Sequence, residues 1–348
     1  MTDDRRPRGR RLTMNGPPSR VTVLGDGAWG TALAMLFCDN GHAVTLWGAF
    51  PDYVETLIRR RENVKFLPGV RLPDALRLTP DISEAAAGAD LIVMAAPTQH
   101  VRSVTRRLAP HHGRGTPLLS VAKGIENKTL LRPSQIIREI LGRVHVAVLS
   151  GPSHAEEVSR RMPTSVSVAS TGHALAVEVQ QLLTTEYFRP YTSDDVTGVE
   201  LGGALKNVIG IAAGISDGLG FGDNAKSALI TRGLAEITRL GRAMGARQST
   251  FAGLSGIGDL ITTCISPHGR NHRCGAEIGG GKTLKQVLES TEQVIEGVWT
   301  CRSVHKLAAS HSVEIPICEQ VYRVLFRRKS PRNAVKDLML RRPRPEED

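Results

Sequence analysis

Short apolar, β-branched runs alternate with helix-patterned stretches from residue 21 to about residue 192. The runs are "VTVLG" (21–25), "AVTLW" (43–47), "LRLT" (76–79), "LIVMAA" (91–96), "PLLSVA" (117–122), "HVAVLS" (145–150), "SVSVA" (165–169) and "FRPYT" (188–192). Several are apolar at every position, as strands covered on both faces must be. Their alternation with helical stretches predicts a doubly wound, mostly parallel α/β domain. From "SDDVTGVELGGALKNVIGIAAG" onward the strand pattern stops and successive helices follow, with starts predicted near Ser193, Asn224, Thr283 and Pro316. The pattern thus divides the chain into an α/β domain over 21–195 and an all-helical domain over 196–340. A basic tail (1–20), expected to be disordered, and a charged tail (341–348) flank them.

"GDGAWG" closes the first run as G-x-G-x-x-G, with Gly25, Gly27 and Gly30 at the glycine positions, and it opens "TALAMLF", a helical start. Strand, glycine turn and helix in that order point to a dinucleotide site and make the first domain Rossmann-type. Gly25 would permit the tight turn, Gly27 the approach of backbone to a pyrophosphate, and Gly30 close helix–strand packing, with the charge held by free N–H groups. An ordinary strand–helix turn is the bland alternative. Asp26 is expected to face away from the phosphates and accept backbone N–H bonds. Trp29 is expected beside the pyrophosphate or nicotinamide, or packed in a domain interface. Folds that bind NAD place an acid at the end of the second strand for the ribose hydroxyls. Ala49 and Phe50 stand there, so neither NADH nor NADPH is selected by that segment.

Charge and cysteine content narrow the function classes. The net charge is +11, but residues 1–20 carry +4 and residues 323–348 carry +5, leaving about +2 on the body. Aromatics are only 4%, so the basic, aromatic-studded face of a nucleic-acid binder is not indicated. The first twenty residues lack the apolar centre of a secretory signal, and no apolar run approaches the roughly 18 residues of a membrane span. Five cysteines without a C-x-x-C pair suit reduced thiols in the cytoplasm. Cys264, His268, His272 and Cys274 bunch together, but C-x3-H-x3-H-x-C matches no zinc pattern, and no metal is expected.

Three further clusters carry candidate chemistry. "VAKGIE" sets Lys123 just after a strand, at the sheet edge where ligands bind. "LSGPSHAEEV" repeats the strand–turn–helix design with Gly151, Ser153 and Ala155. In "VELGGALKNVIG", Gly202 and Gly203 share a helical face with Lys206. Either their bareness opens room for a small ligand over the ammonium, or they serve tight helix packing while Lys206 reaches solvent. "HGRN" (268–271) offers Arg270 as a bidentate anion clamp with Asn271 beside it.

The chain resembles the bacterial-type NAD(P)-dependent glycerol-3-phosphate dehydrogenases from residue 21 to about 340. The likeness is carried by "GDGAWGTALA", "AKGIE", "SGPSHAEEV", "GVELGGALKNVIGIAAGISDGLGFGDNAKSALITRGLAEITRLG", "GLSGIGDL", "GRN" and "VIEGV". It implies hydride transfer between NADH or NADPH and dihydroxyacetone phosphate, giving sn-glycerol 3-phosphate for membrane lipids, by a cytoplasmic homodimer. By the resemblance, Lys206 is the catalytic acid–base, Lys123 holds and polarises substrate and touches cofactor, and Asp259 binds substrate and orients both lysines. Gly151 and Ser153 match substrate contacts; Gly269, Arg270 and Asn271 match the phosphate site. Ala28, Trp29, Ala155, Arg270, Val294 and Glu296 match cofactor contacts beside the three loop glycines. Gly269 stands where the family has Ser, and Ala49 where it has a polar or basic residue. A related reductase for another small acid, and a cofactor sensor without chemistry, are the alternatives; a sensor would need the glycine turn but not Lys123, Lys206, Asp259 and Arg270.

Overall fold

The computed structural model describes residues 18–266, 268–343 and 345–346. Most of the expected basic tail (1–17), and parts of the charged tail, lie outside these residues. The chain divides into two compact units: residues up to 122 with 132–199, and residues 123–131 with everything from 200 onward.

Among the described residues the first unit contains ten strands: β1 (Arg20–Leu24), β2 (Ala43–Trp47), β3 (Glu62–Asn63), β4 (Leu67–Arg71), β5 (Arg77–Thr79), β6 (Leu91–Met94), β7 (Leu118–Ser120), β8 (Val146–Ser150), β9 (Thr164–Ser170) and β10 (Phe188–Ser193). Eight form one sheet in the order β10-β9-β8-β7-β6-β1-β2-β5, parallel at every pairing except β8–β9. Each of the eight predicted apolar runs is a strand of this sheet. The β3–β4 hairpin was not predicted: its Pro68 and Gly69 break the apolar alternation that marks a strand. Helices α1 (Ala28–Asp39), α2 (Pro51–Arg60), α3 (Ile82–Ala86), α4 (Val101–Leu108), α5 (Pro133–Leu141), α6 (Ala155–Val158) and α7 (His173–Leu183) connect the strands. β6 and β8 are buried along their whole length, as the unbroken apolar runs required. The chain leaves β1 toward β2 and β5 on one side and returns through β6 and β7 on the other. Gly25 therefore lies at the point where strand order reverses, and ligands of open parallel sheets bind at such points.

Beyond β10 the described residues form helices. They are α8 (Val196–Gly218), α9 (Asp223–Ala243), α10 (Gln248–Phe251), a π-helical turn (Leu254–Gly258), α11 (Asp259–Ile265), α12 (Arg270–Gly279), α13 (Leu284–Glu289), α14 (Glu296–Ser310), α15 (Pro316–Arg327) and α16 (Pro331–Met339). α8 starts at Val196 rather than Ser193 because Asp195 caps it: its Oδ1 accepts from the Gly198 N–H at 2.8 Å. α8 is the one helix among the described residues long and apolar enough to cross a membrane. It is buried in the protein, and from Glu200 onward it is the core helix of the second unit. Glycines let α12 lie directly on it. A Cβ at Gly214 would fall 1.9 Å from the His272 carbonyl oxygen, and one at Gly275 would fall 2.0 Å from that of Ile211. This contact fixes the start of α12 against the middle of α8, where Lys206 lies.

Candidate active site

The glycine turn of the first unit is built for two different reasons. Gly25 has φ +125°, and a Cβ there would lie 2.9 Å from the Ala95 carbonyl group after β6. A Cβ on Gly30 would lie 1.9 Å from the Gly25 oxygen. Both glycines are thus required by the turn itself. Gly27 is not: a Cβ there would meet nothing within 4 Å. Gly27 is also the N-cap of α1 and gives it no side-chain bond, so the cap itself leaves the first N–H groups of the helix for another acceptor. A pyrophosphate fits such a cradle.

Asp26 does turn aside, but not to backbone donors from elsewhere in the chain. Its side chain lies against Gly48, just past β2, and Oδ2 is buried without a hydrogen-bond partner among the described residues. Burial raises its pKa above the usual carboxylate range, against the smaller opposing effects of its own N–H and Lys65. The Trp29 indole packs on the apolar core of the first unit. In the same unit Gly151 takes φ +142°, where a Cβ would press on the Val166 Cα at 2.9 Å, and Ser153 Oγ donates to the Gly151 oxygen at 2.9 Å. Ala155, buried, begins α6.

The second unit holds the charged centre. Asp259, the first residue of α11, is 2% exposed. Its Oδ1 accepts from Lys206 Nζ at 2.7 Å and its Oδ2 from Lys123 Nζ at 2.8 Å. Lys206 also donates to Thr263 Oγ1 at 2.6 Å. Burial drives the Lys206 pKa down, to about 8, although Asp259 pulls it upward; the Lys123 ammonium lowers it further. For Asp259 burial acts to raise the pKa, yet the two ammonium groups together hold it below its ordinary value. The centre is therefore a carboxylate shared by two amines, one of which titrates near neutrality.

Sequence reading missed Thr263, although it stands four residues after Asp259 and hence on the same helical face. Of the two readings for the glycines, Gly202 follows the packing one: a Cβ there would sit 2.3 Å from the Ser255 carbonyl oxygen in the π-helical turn. Lys206 does not reach solvent, being 7% exposed. An amide relay braces the other lysine. Asn207 Nδ2 donates to the Lys123 carbonyl at 3.0 Å, Asn271 Nδ2 donates to Asn207 Oδ1 at 2.9 Å, and the Gly297 N–H donates to Asn271 Oδ1 at 2.9 Å. Ser303 Oγ anchors the same segment through the Ile125 carbonyl and Asn127 Oδ1.

Arg270 opens α12 after the Gly269 N-cap, and its guanidinium donates to the Val294 carbonyl at 3.3 Å, two residues before Glu296 begins α14. Gly269, Arg270, Asn271, Val294 and Glu296 are thereby neighbours in one unit. The former zinc-like cluster separates: His272 pairs with Asp217 at 2.7 Å, while Cys264 and Cys274 are buried in the apolar core. All five cysteines are free thiols; burial pushes Cys264 and Cys274 up to about 12.

Comparison with known proteins assigns this arrangement to a family. Residues 20–176 match the model described as NAD-dependent glycerol-3-phosphate dehydrogenase N-terminus, and residues 195–336 match the corresponding C-terminus. The chain belongs to the NAD-dependent glycerol-3-phosphate dehydrogenase family. A glycerol-3-phosphate dehydrogenase [NAD(P)+] of Syntrophotalea carbinolica is 50% identical over 94% of this chain and 99% of its own. Its counterpart in Syntrophomonas wolfei is 48% identical over 94% and 96%. The crystal structure of the glycerol-3-phosphate dehydrogenase from Coxiella burnetii superposes with a TM-score of 0.91 at 37% identity, covering 93% of this chain and 99% of that one.

Proposed function

We propose that this chain catalyses the reversible reduction of dihydroxyacetone phosphate to sn-glycerol 3-phosphate with NADH or NADPH. The observation that carries the reading is the buried carboxylate of Asp259 shared by Lys123 and Lys206. A bound nicotinamide dinucleotide supplies the hydride. The glycine turn and the start of α1 bind its pyrophosphate through N–H groups, with Gly27 leaving the approach clear. Ala155, Arg270, Val294 and Glu296 complete the cofactor contacts in this reading, and Lys123 touches both ligands.

As hydride reaches the carbonyl carbon, negative charge grows on the carbonyl oxygen. Lys206 gives that oxygen a proton and takes it back in the oxidative direction. A pKa near 8 suits both duties at physiological pH, because neither protonation state is strongly disfavoured. Asp259 stays ionised and holds the two amines in place. Lys123, on the other oxygen of Asp259, stabilises the developing oxyanion. Arg270 and the Gly269 end of α12 take the phosphate, where guanidinium and free N–H groups both favour an anion. Asn271 has one amide hydrogen left for it after serving Asn207. Gly151 and Ser153 are substrate contacts in this reading on the family resemblance. In this reading the protein is a cytoplasmic homodimer supplying glycerophospholipid synthesis, a point supported by the family resemblance alone.

The test is direct. Purified protein is mixed with NADH or NADPH and dihydroxyacetone phosphate, and loss of the reduced-nicotinamide absorbance is followed. Turnover that needs the phosphate, and is absent with unphosphorylated dihydroxyacetone or with 2-keto acids, is the expected outcome. Equal turnover of a 2-keto acid overturns the assignment in favour of a related reductase, and cofactor binding without turnover overturns it in favour of a sensor.

A further inference from the structure

Asp26 presents a problem that the chain itself does not solve. Its residue is 9% exposed, and Oδ2 has no donor among the described residues. Asn63 Nδ2 and Thr31 Oγ1 both bond the main-chain oxygen of Asp26, at 2.8 and 3.3 Å, and not its carboxyl. A buried acceptor left unpaired costs roughly 1–3 kcal/mol, more if it is ionised. Such an atom calls for an explanation.

Its location supplies one. The carboxyl lies where a side chain at residue 48 would be: a Cβ on Gly48 would fall 2.6 Å from Asp26 Oδ2. Gly48 directly follows the last residue of β2. In dinucleotide-binding folds the C-terminal end of this strand carries the acid that bonds the adenosine ribose hydroxyls. Here the strand runs out through Gly48, Ala49 and Phe50, with no acid of its own. A carboxyl reaches the same place from the adjoining glycine turn, and the missing side chain at Gly48 makes room for it.

Two more features fit. Lys65, whose charge acts on Asp26, holds its ammonium over the Tyr53 and Phe66 rings, 5.8 and 5.4 Å from their centroids. Arg61 spends its guanidinium on the Leu76 and Pro73 carbonyls, and Arg59 and Arg60 lie in the last turn of α2. The Phe50 ring, 71% exposed at the same strand end, offers an apolar face of the size a purine covers.

We propose that Asp26 is the ribose-reading acid of this chain, and that it biases the cofactor site toward the dinucleotide with a free 2′-hydroxyl, NADH, over that with a 2′-phosphate, NADPH. A ribose hydroxyl brings the donor that Oδ2 lacks. Turning the carboxyl outward from Gly48 about its two torsions breaks no hydrogen bond at Oδ2. A 2′-phosphate brings only acceptors and like charge. This inference rests on the dinucleotide binding proposed above.

The experiment measures dissociation constants for NADH and NADPH by titration calorimetry, without substrate, on the wild type, Asp26→Asn and Asp26→Ser. Thermal melts run beside them, and two variants guard against one that fails to fold. The wild type should bind NADH at least tenfold tighter than NADPH. In the variants NADH should weaken severalfold while NADPH holds or tightens, so that the ratio collapses at least tenfold. A wild-type preference for NADPH, or variants in which both constants move together within twofold, overturns the proposal while leaving the function intact. Binding of neither dinucleotide by the folded wild type overturns the function and this inference with it.

Discussion

Replacing Asp259 by Asn removes one charge and little volume from the centre of the site. The carboxylate is 2% exposed and accepts from Lys206 at 2.7 Å and Lys123 at 2.8 Å. An amide can accept from one ammonium, but it turns a donor toward the other. Two unit charges about 4 Å apart in a medium of effective dielectric constant near 20 attract by about 4 kcal/mol. Losing that attraction lowers the Lys206 pKa by about three. Starting from about 8, it would fall to roughly 5. At pH 7 the protonated fraction of Lys206 would then drop from about nine-tenths to about one-hundredth, and reduction with it by roughly a hundredfold, within the range usual for loss of a general acid. Breaking a buried pair also costs on the order of 3–5 kcal/mol of stability, part of which Lys206 recovers by shedding its proton. The assay is kcat/KM for dihydroxyacetone phosphate between pH 5 and 9, with a thermal melt at each pH. The loss should be large at pH 7 and shrink toward pH 5, where Lys206 regains its proton. An Asp259→Asn variant that keeps half of wild-type kcat/KM at pH 7, or loses the same factor at every pH, refutes the reasoning.

Wild-type reduction should decline as pH rises through about 8, because Lys206 must carry its proton, while oxidation of glycerol 3-phosphate should rise over the same interval; opposed profiles in steady-state kinetics check this. Arg270→Lys keeps the charge but loses the planar fork, so KM for dihydroxyacetone phosphate should rise about tenfold or more; an unchanged KM removes the phosphate role. Gly214→Ala drives a Cβ to 1.9 Å from the His272 carbonyl and should cost about 1–3 kcal/mol or block folding, read by urea unfolding. Glu236 is buried and accepts from the Ile317 and Cys318 N–H groups, and burial lifts its pKa to about 7 despite those bonds. Its folded pKa lies above the unfolded value, so the folded state binds the extra proton, and stability should fall as pH rises from about 4.5 to 7, by on the order of 3 kcal/mol in all. Glu236→Gln should flatten that dependence, as measured by unfolding at pH 5 and pH 8.

Much of the architecture was legible because burial on both faces leaves an unmistakable record. A strand such as "LIVM" has no polar position to spare, and the glycine turn between β1 and α1 is recognisable from its spacing. The β3–β4 hairpin left no such record, since its five-residue strand carries Pro68 and Gly69 and is buried at only two positions. Shorter helices such as α10 and α11 were hidden for a related reason: one or two turns are too few to display a period.

The candidate site divides in the same way. The sequence by itself determined which chemistry was available, because residue types and local spacing are covalent facts: a glycine turn after a strand, lysines at 123 and 206, an arginine opening a helix. Tertiary structure alone decided what those groups became. Lys206 and Asp259 are 53 positions apart and Lys123 and Asp259 are 136 apart, so no local pattern could show that one carboxylate serves both amines. Burial of Lys206, which brings its pKa near neutrality, depends on the desolvating shell that α8 shares with its neighbours. The orphaned oxygen of Asp26 is legible only beside Gly48, 22 residues further on in sequence. Pairing, desolvation and unmet hydrogen bonds are properties of distance in space, and the folded chain sets those distances.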